Sequence, residues 1–192
     1  MRQNPARRTA LLDAAIEVLA REGSRGLTLR AVDKEAGVPT GTTSNYFTNR
    51  ADLLSQTMTR TRERLTPDPE ALAATMNAEP THDLVRTLMH QLMDRMRADR
   101  SSHLALLELR LEATRRPELR SELTAFLTAD LNGNLDFHLG AGLPGDAQGM
   151  ILLYLGMLGL ILDDLTVPGL LRPHDLGALI DTMVQRLLPA GT

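Results

Sequence analysis

Small polar side chains are concentrated between Pro39 and Phe47, in the stretch PTGTTSNYF. Hydroxyl and amide groups donate and accept hydrogen bonds, and short side chains reach base edges and phosphates without filling the major groove of DNA. A glycine among them lets the backbone approach a duplex closely. Hydroxyl-rich runs are otherwise commoner in loops and helix caps, so DNA contact depends on the surrounding elements. The residues that supply this chemistry are Thr40, Gly41, Thr42, Thr43, Ser44 and Asn45.

The residues before this stretch predict a helix followed by a tight turn. Thr28 suits an N-cap, and the apolar residues after it recur at i, i+3 and i+7, the spacing of one inward helical face. Gly37 can take the left-handed conformation that ends a helix. Pro39 suits the start of the next one. We therefore predict a helix-turn-helix whose second helix runs from about Thr40 to Tyr46.

Two flanking helices complete a small predicted domain. Arg7–Arg21 has apolar residues at helical spacing, and a further helix covers Arg50–Thr61. Residues 1–65 carry 11 Lys and Arg against 7 Asp and Glu, whereas residues 66–192 carry 10 against 17. A basic head is typical of a duplex binder, although ordinary charge scatter gives such a balance too. We predict a DNA-binding domain at 1–65 and a helical effector-binding and dimerisation domain at 66–192.

The segment Leu11–Leu54 resembles the N-terminal DNA-binding domain of the TetR family of bacterial transcriptional regulators. Its elements AA-E-L-EG, T-R-AV-EAGV, G-T-YF and R-LL occur in order and without gaps. The resemblance implies an all-α protein with an N-terminal three-helix head. Arg30 would reach a guanine edge or a phosphate, and Tyr46 and Arg50 would clamp the DNA backbone. The positions that the resemblance implies nearest to DNA are Thr28, Arg30, Thr40, Thr42, Asn45, Tyr46 and Arg50.

Three positions depart from the pattern usual in that family. Thr43 and Ser44 stand where an apolar residue and a tyrosine are common, so one aromatic phosphate contact is missing. Arg50 replaces a lysine and keeps the positive charge. Asp33 replaces a small residue and either faces solvent or pairs with a nearby arginine; the sequence leaves both open.

Beyond residue 65 the sequence is helical throughout, and no strand pattern competes with the helical one. The chain has no cysteine, which excludes thiolate metal sites and disulfides. Its five histidines have no metal-ligand spacing with carboxylates, so we expect neither metal nor cofactor. The most apolar run, Met150–Leu162, is too short to cross a bilayer, and we expect a cytoplasmic protein without membrane contact. The predicted helices are Pro69–Asn77, Thr81–Arg100, Ser102–Arg115, Pro117–Leu139, Asp146–Leu165 and His174–Leu188.

The predicted Asp146–Leu165 helix is apolar on nearly every side and contains three glycines. A chain of this size cannot easily bury such a helix all round, so part of its surface is expected to meet a second copy. As the resemblance implies, this helix and Pro117–Leu139 would form a four-helix bundle across a two-fold axis. A simple core helix is the alternative. The predicted interface residues are Leu123, Leu127, Leu131, Leu153, Gly156, Met157 and Leu160.

A cavity for an unidentified small-molecule effector is expected between helices of the second domain. Methionines suit adaptable apolar pockets, although thioethers fill ordinary cores as well. The residues predicted to line it are Met89, Met93, Met96, His103, Leu107, Leu111, Phe126 and Met150.

Together these features predict a homodimeric regulator that binds double-stranded operator DNA, most simply a repressor released by a small apolar ligand. An activator of the same family is the alternative. An all-helical enzyme or ligand carrier with a vestigial head is disfavoured, because the sequence holds no Ser-His-acid, metal or phosphate-cradling constellation. Non-specific nucleoid binding would require a far more basic chain.

Overall fold

The computed structural model describes residues 4–189, and within that range the protein is all-α with no strand. This confirms the predicted fold class, and the helices beyond residue 65 lie within a few residues of their predicted bounds. The helices are α1 (Pro5–Gly26), α2 (Leu29–Glu35), a 3₁₀ helix (Thr43–Asn45), α3 (Arg50–Leu65), α4 (Pro69–Thr75), α5 (His82–Ala98), α6 (Arg100–Ala113), α7 (Pro117–Gly140), α8 (Ala147–Thr166) and α9 (Leu176–Leu187).

Short polar side chains start most of these helices. The carboxylates of Asp68, Asp99, Asp146 and Asp175 each accept a hydrogen bond from a backbone N–H in the first turn of the helix that follows. Such caps satisfy donors that have no partner inside the helix. The sequence therefore marks helix starts locally, which explains why their bounds are predicted well.

One compact unit contains the chain up to Thr66 together with Asp99–Phe126. In it α1 packs against α2, α3 and α6, and α6 also packs against α3. The core of this unit includes the fully buried side chains of Leu11, Ile16 and Phe47. The predicted domain boundary at residue 65 coincides with the end of α3, but the compact unit that holds the head also includes α6. A functional division at residue 65 stays a prediction.

The second compact unit combines Pro67–Ala98 with the chain from Leu127 onward. Here α5, α8 and α9 pack together around a core that includes Val85, Leu153 and Val184. Helix α8 has 20 residues, so it is long and apolar enough to span a membrane by length and composition alone. The apolar run Met150–Leu162 lies within this helix, which extends beyond the run at both ends. Core helices of soluble proteins pass the same test.

Candidate nucleic-acid interface

The first half of the helix-turn-helix follows the sequence prediction closely. Thr28 caps α2, and its Oγ1 accepts a hydrogen bond from the backbone N–H of Ala31 at 3.1 Å. After α2, Gly37 adopts a φ of +63°, which favours glycine because other residues are strained there. The backbone N–H of Val38 then donates to the carbonyl of Asp33 at 3.0 Å and closes the turn.

We call residues 39–46 the reading segment. The predicted α-helix from Thr40 to Tyr46 is wrong in type and length, because only Thr43–Asn45 is helical and that piece is a single 3₁₀ turn. Gly41, with a φ of +93°, prevents a helix from starting at Thr40. The segment begins instead with a turn in which the N–H of Thr42 donates to the carbonyl of Pro39 at 3.1 Å.

Most residues predicted to contact DNA are accessible in this arrangement, but one is not. Thr43 is fully buried, so its side chain cannot touch a duplex, and its prediction as a DNA contact is corrected. Thr42 and Tyr46 are half-buried. The exposed members of the predicted set are Thr28, Arg30, Thr40, Gly41, Ser44 and Asn45.

Asp33 explains why Thr43 is buried. Its side chain is only 2% exposed, and its Oδ1 accepts hydrogen bonds from the N–H and the Oγ1 of Thr43, at 2.7 and 2.5 Å. Its Oδ2 accepts one from the N–H of Gly41 at 2.7 Å. Burial raises the pKa of this carboxyl, but the hydrogen bonds from Thr43 and Gly41 outweigh burial and hold the pKa below its ordinary value. Asp33 therefore neither faces solvent nor pairs with an arginine.

Arg50, predicted to clamp a phosphate, is half-buried, and its contact with DNA stays a prediction. Its guanidinium is turned toward the end of α1: Nε donates to the carbonyl of Leu27 at 3.1 Å, and Nη2 donates to the carbonyl of Ser24 and to its Oγ at 3.2 Å. Its Nη1 lies 3.6 Å from Oε1 of Glu112. An arginine whose fork is already occupied by these acceptors connects α1, α3 and α6 rather than reaching outward.

Glu112 of α6 is a second buried carboxylate that the sequence did not single out. Its side chain accepts a 2.6 Å hydrogen bond from Oγ of Ser24 and a 2.5 Å bond from Nε of Arg116. The Ser24 hydroxyl is the main cause that lowers the pKa of Glu112, and burial opposes it. Glu108, one turn earlier, accepts the backbone N–H of Ser24 at 3.1 Å. Because Ser24 lies 84 residues from Glu108 and 88 residues from Glu112, no local pattern could reveal these two contacts.

The predicted methionines of the effector cavity lie in the core of the second unit. Met93 and Met150 belong to its buried cluster, and Met89 packs against that cluster. Met96 is 7% exposed. This placement agrees with ordinary core packing, the alternative already recognised for methionine, and their role as ligand contacts stays a prediction.

The other four predicted cavity residues belong to the first unit. His103 is buried in α6, and Leu107 is half-buried. Phe126 is half-buried, with the guanidinium of Arg62 5.4 Å from the centre of its ring. Leu111 is 54% exposed, so it lies on the surface of this chain and does not line an enclosed space within the unit.

One described cavity, of about 110 Å³, lies at the end of α8 and the start of α9. None of the predicted effector contacts lines it, and its volume is below the few hundred Å³ usual for small-molecule sites. Its lining combines two carboxylates, Asp163 and Asp164, with Arg172, His174 and apolar residues. This cavity is therefore not a match for the predicted apolar pocket.

Several predicted interface residues are occupied within their own chain. Leu123 is 4% exposed, and Leu153 and Met157 are buried in the core of the second unit, so none offers side-chain surface to a partner. At Gly156 an added Cβ would lie 2.8 Å from Sδ of Met183, so this glycine admits α9 of the same chain. The half-buried members of the predicted set are Leu127, Leu131 and Leu160.

The exposed apolar surface of α8 lies on a neighbouring face. Leu152, Leu155 and Leu162 are 47%, 53% and 41% exposed. Gly159, between them, is exposed and has open space where a Cβ would stand. Their spacing of three, four and three residues follows one side of the helix and is typical of a helix–helix seam. We call these four residues the α8 stripe.

Comparisons with known proteins agree with this architecture. Residues 11–57 match the family described as bacterial regulatory proteins, tetR family, and residues 80–190 match the tetracyclin repressor-like C-terminal domain. The HTH-type transcriptional regulator BetI of Agrobacterium fabrum is 30% identical over 142 residues, which are 74% of this chain and 68% of BetI.

Solved structures of similar proteins extend over nearly the whole chain. A TetR-family member from Streptomyces coelicolor superposes with a TM-score of 0.70 at 27% identity, covering 97% of this chain and all of the other. The multidrug binding protein EbrR, complexed with imidazole, gives a TM-score of 0.68 at 28% identity and covers 98% of both chains. Because the family models match both halves of the sequence, the chain belongs to the TetR family of DNA-binding transcriptional regulators.

Proposed function

We propose that this regulator is a homodimeric repressor that binds a pseudo-palindromic operator and is released from it by a small, largely apolar ligand. The observation that carries the proposal is the reading segment, because Thr40, Ser44 and Asn45 are exposed on a head of net positive charge that also exposes Arg30 in α2. Hydroxyl, amide and guanidinium groups are the groups that read base edges and phosphates. Tyr46 and Thr28 would bind the DNA backbone.

The α8 stripe supports dimerisation. Only 28% of the most apolar stretch of α8 is buried within one chain. Its large leucines are therefore exposed to water unless a second copy covers them. We therefore place the two-fold contact on Leu152, Leu155, Gly159 and Leu162, with α7 alongside. Two heads held in this way would read half-sites about one helical turn apart.

Ligand release is proposed from the similarity to EbrR, which is described as a multidrug binding protein and has been seen with ethidium and with malachite green. The apolar character of the second unit supports a ligand that is itself largely apolar. An activator that uses the same head is the second possibility. In either case we expect a soluble cytoplasmic protein without enzymatic activity.

A gel shift with the purified full-length protein tests this function directly. The probe is the intergenic DNA next to its own gene, at physiological salt with excess non-specific competitor, because affinity alone is uninformative without the salt concentration. A discrete shifted band supports sequence-specific regulation. If no band forms, selection from a random duplex pool follows, and failure to enrich any sequence would contradict the proposal.

A further inference from the structure

We propose that Asp33 and Thr43 form a positioning pair that fixes the conformation of the reading segment and thereby sets its affinity and preference for operator DNA. The inference rests on the proposed function, because it assigns a role within DNA reading. Neither side chain would touch the duplex. Both are buried, at 2% and 0% exposure, and both would act through the residues between and beside them.

The pair joins two elements that a short turn alone would leave loosely connected. Asp33 lies in α2, and its single carboxylate accepts three hydrogen bonds from two residues of the reading segment, Gly41 and Thr43. All three donor–acceptor distances are between 2.5 and 2.7 Å. Hydrogen bonds to a charged acceptor of this length are stronger than neutral ones. The carboxylate therefore determines where the 3₁₀ turn lies relative to α2.

The reading segment needs such an anchor because its own backbone bonds are few. A single 3₁₀ turn has poor hydrogen-bond geometry and little intrinsic stability. The φ of +93° at Gly41 interrupts the regular backbone and leaves its N–H without a helical partner. Asp33 accepts that N–H and also the buried N–H of Thr43. Without these bonds, two donors would lack partners and the segment could take other conformations.

The inward position of the Thr43 side chain determines which neighbouring side chains are exposed for contact with DNA. With Thr43 held against Asp33, Ser44 and Asn45 are exposed, as is Thr40 before them. The hydroxyl of Ser44 donates to the carbonyl of Gly41 at 2.7 Å, so its own orientation depends on the same turn. A shift of one residue in this segment would bury Thr42 or Ser44 in place of Thr43 and change which side chains are exposed.

The two residues are also matched to each other. The family pattern leads one to expect a small residue at position 33 and an apolar residue at position 43, and this chain departs from both expectations together. A threonine without the acid would bury an unpartnered hydroxyl, and an acid without the threonine would lose one of its three donors. The carboxylate of Asp33 and the hydroxyl of Thr43 thus satisfy each other inside the head.

Electrostatics and positioning predict opposite effects of removing the charge on Asp33. A carboxylate close to DNA repels phosphates, so Asp33→Asn should tighten all duplex binding slightly if charge alone mattered. If Asp33 positions the segment, the new amide N–H₂ opposes a backbone or hydroxyl donor, and specific binding weakens while binding to unrelated duplex does not. The ratio of specific to unrelated affinity therefore distinguishes the charge effect from the positioning effect.

The experiment uses the full-length protein and the duplex that the wild type selects from a random pool. Affinities for that duplex and for an unrelated one are measured for Asp33→Asn, Thr43→Val, Thr43→Ser and the double variant Asp33→Asn/Thr43→Val. Hydrogen–deuterium exchange of the peptide spanning residues 39–47 reports the conformation of the segment without DNA. Thermal melting checks that each variant is folded.

We expect the ratio of specific to unrelated affinity to fall about tenfold in Asp33→Asn and in Thr43→Val, since loss of one hydrogen bond to a charged group corresponds to roughly that factor. Thr43→Ser should stay close to wild type, because it keeps the hydroxyl. The double variant should lose less than the product of the single losses, because both changes disrupt one contact. Exchange of residues 39–47 should be faster in Asp33→Asn.

An unchanged ratio in Asp33→Asn together with unchanged exchange of residues 39–47 would overturn the proposal. If the wild type selects no sequence, the proposed function has failed, and the exchange data still decide whether Asp33 orders the segment. A variant with faster exchange but an unaltered affinity ratio also contradicts the proposal. The order of the reading segment would then have no effect on the preference for operator DNA.

Discussion

The reading segment and the α8 stripe differ in where their partners are found. In the reading segment, the backbone N–H groups of Gly41 and Thr43 donate to Asp33, no more than ten residues away in sequence. In the α8 stripe, the leucines stay about half exposed within their own chain. The first surface is ordered by contacts within one chain, whereas we propose that a second copy covers the other. Specific reading and dimerisation can therefore be disrupted separately.

The largest effect is expected from a charge placed in the α8 stripe. Leu155→Asp would bury a carboxylate near its own symmetry mate, so the dimer should dissociate. Loss of two-headed binding should weaken operator affinity at least about 100-fold, because linked heads gain that much from effective concentration. Light scattering after size-exclusion chromatography measures the mass, and gel shift measures the affinity.

Leu170→Asp is the matched control for that variant. Leu170 is 56% exposed, as much as Leu155, but it lies after α8 in the connection to α9. The Leu170→Asp variant should remain dimeric and bind operator DNA with wild-type affinity. A dimeric Leu155→Asp protein would show that the interface lies elsewhere.

The second largest effect concerns direct reading by the head. Arg30→Ala should weaken operator binding by about 1–3 kcal/mol per half-site, since a base or phosphate contact of an arginine is worth that much. The dimer and the melting temperature should not change, because Arg30 is exposed. Arg120→Ala, which removes the same charge from an exposed site on α7, is the control. Equal losses in the two variants would indicate a general charge effect rather than reading.

The same contrast between local and distant partners explains which features of the fold and the site could be predicted from the sequence. The fold class and the bounds of the helices beyond residue 65 were predictable, because caps, glycines and apolar spacing are local signals. The motif located the head and most of its exposed residues. The burial of Thr43 was not predicted, although the joint departure of positions 33 and 43 from the family pattern was a usable signal: a buried acid needs donors nearby.

The remaining errors concern contacts that are distant in sequence. The contacts of Arg50 with Ser24 and Glu112 could not be predicted, because these partners are 26 and 62 positions away. In α8, helical spacing showed that the helix is apolar all round but not which side α9 covers. The rotation of α8 is fixed by packing with α9, and Gly156 against Met183 is one such contact. That information is absent from a single helix.

A smaller effect distinguishes Arg50 from a residue that binds phosphate. Arg50→Ala should destabilise the head by about 1–3 kcal/mol, because it leaves buried acceptors without donors. Arg50→Lys should destabilise it nearly as much, since an ammonium cannot reproduce the fork that reaches Leu27, Ser24 and Glu112. Thermal melting measures both. The dependence of operator affinity on salt should keep its slope, whereas loss of a phosphate contact would reduce it by about one unit per contact.

The smallest expected effect is the pH dependence contributed by Glu112. Its pKa in the folded protein is held below the ordinary value of 4.5, first by the Ser24 hydroxyl and then, against burial, by Arg116. A lowered pKa means that the carboxylate stabilises the fold above pH 4.5 and that this contribution is lost as the pH falls through the folded pKa. Glu112→Gln should therefore melt below wild type at pH 7, and the difference should shrink toward pH 3. A difference that is constant over this range would mean that the charge of Glu112 does not hold α6 to the end of α1, and that its hydrogen bonds alone do.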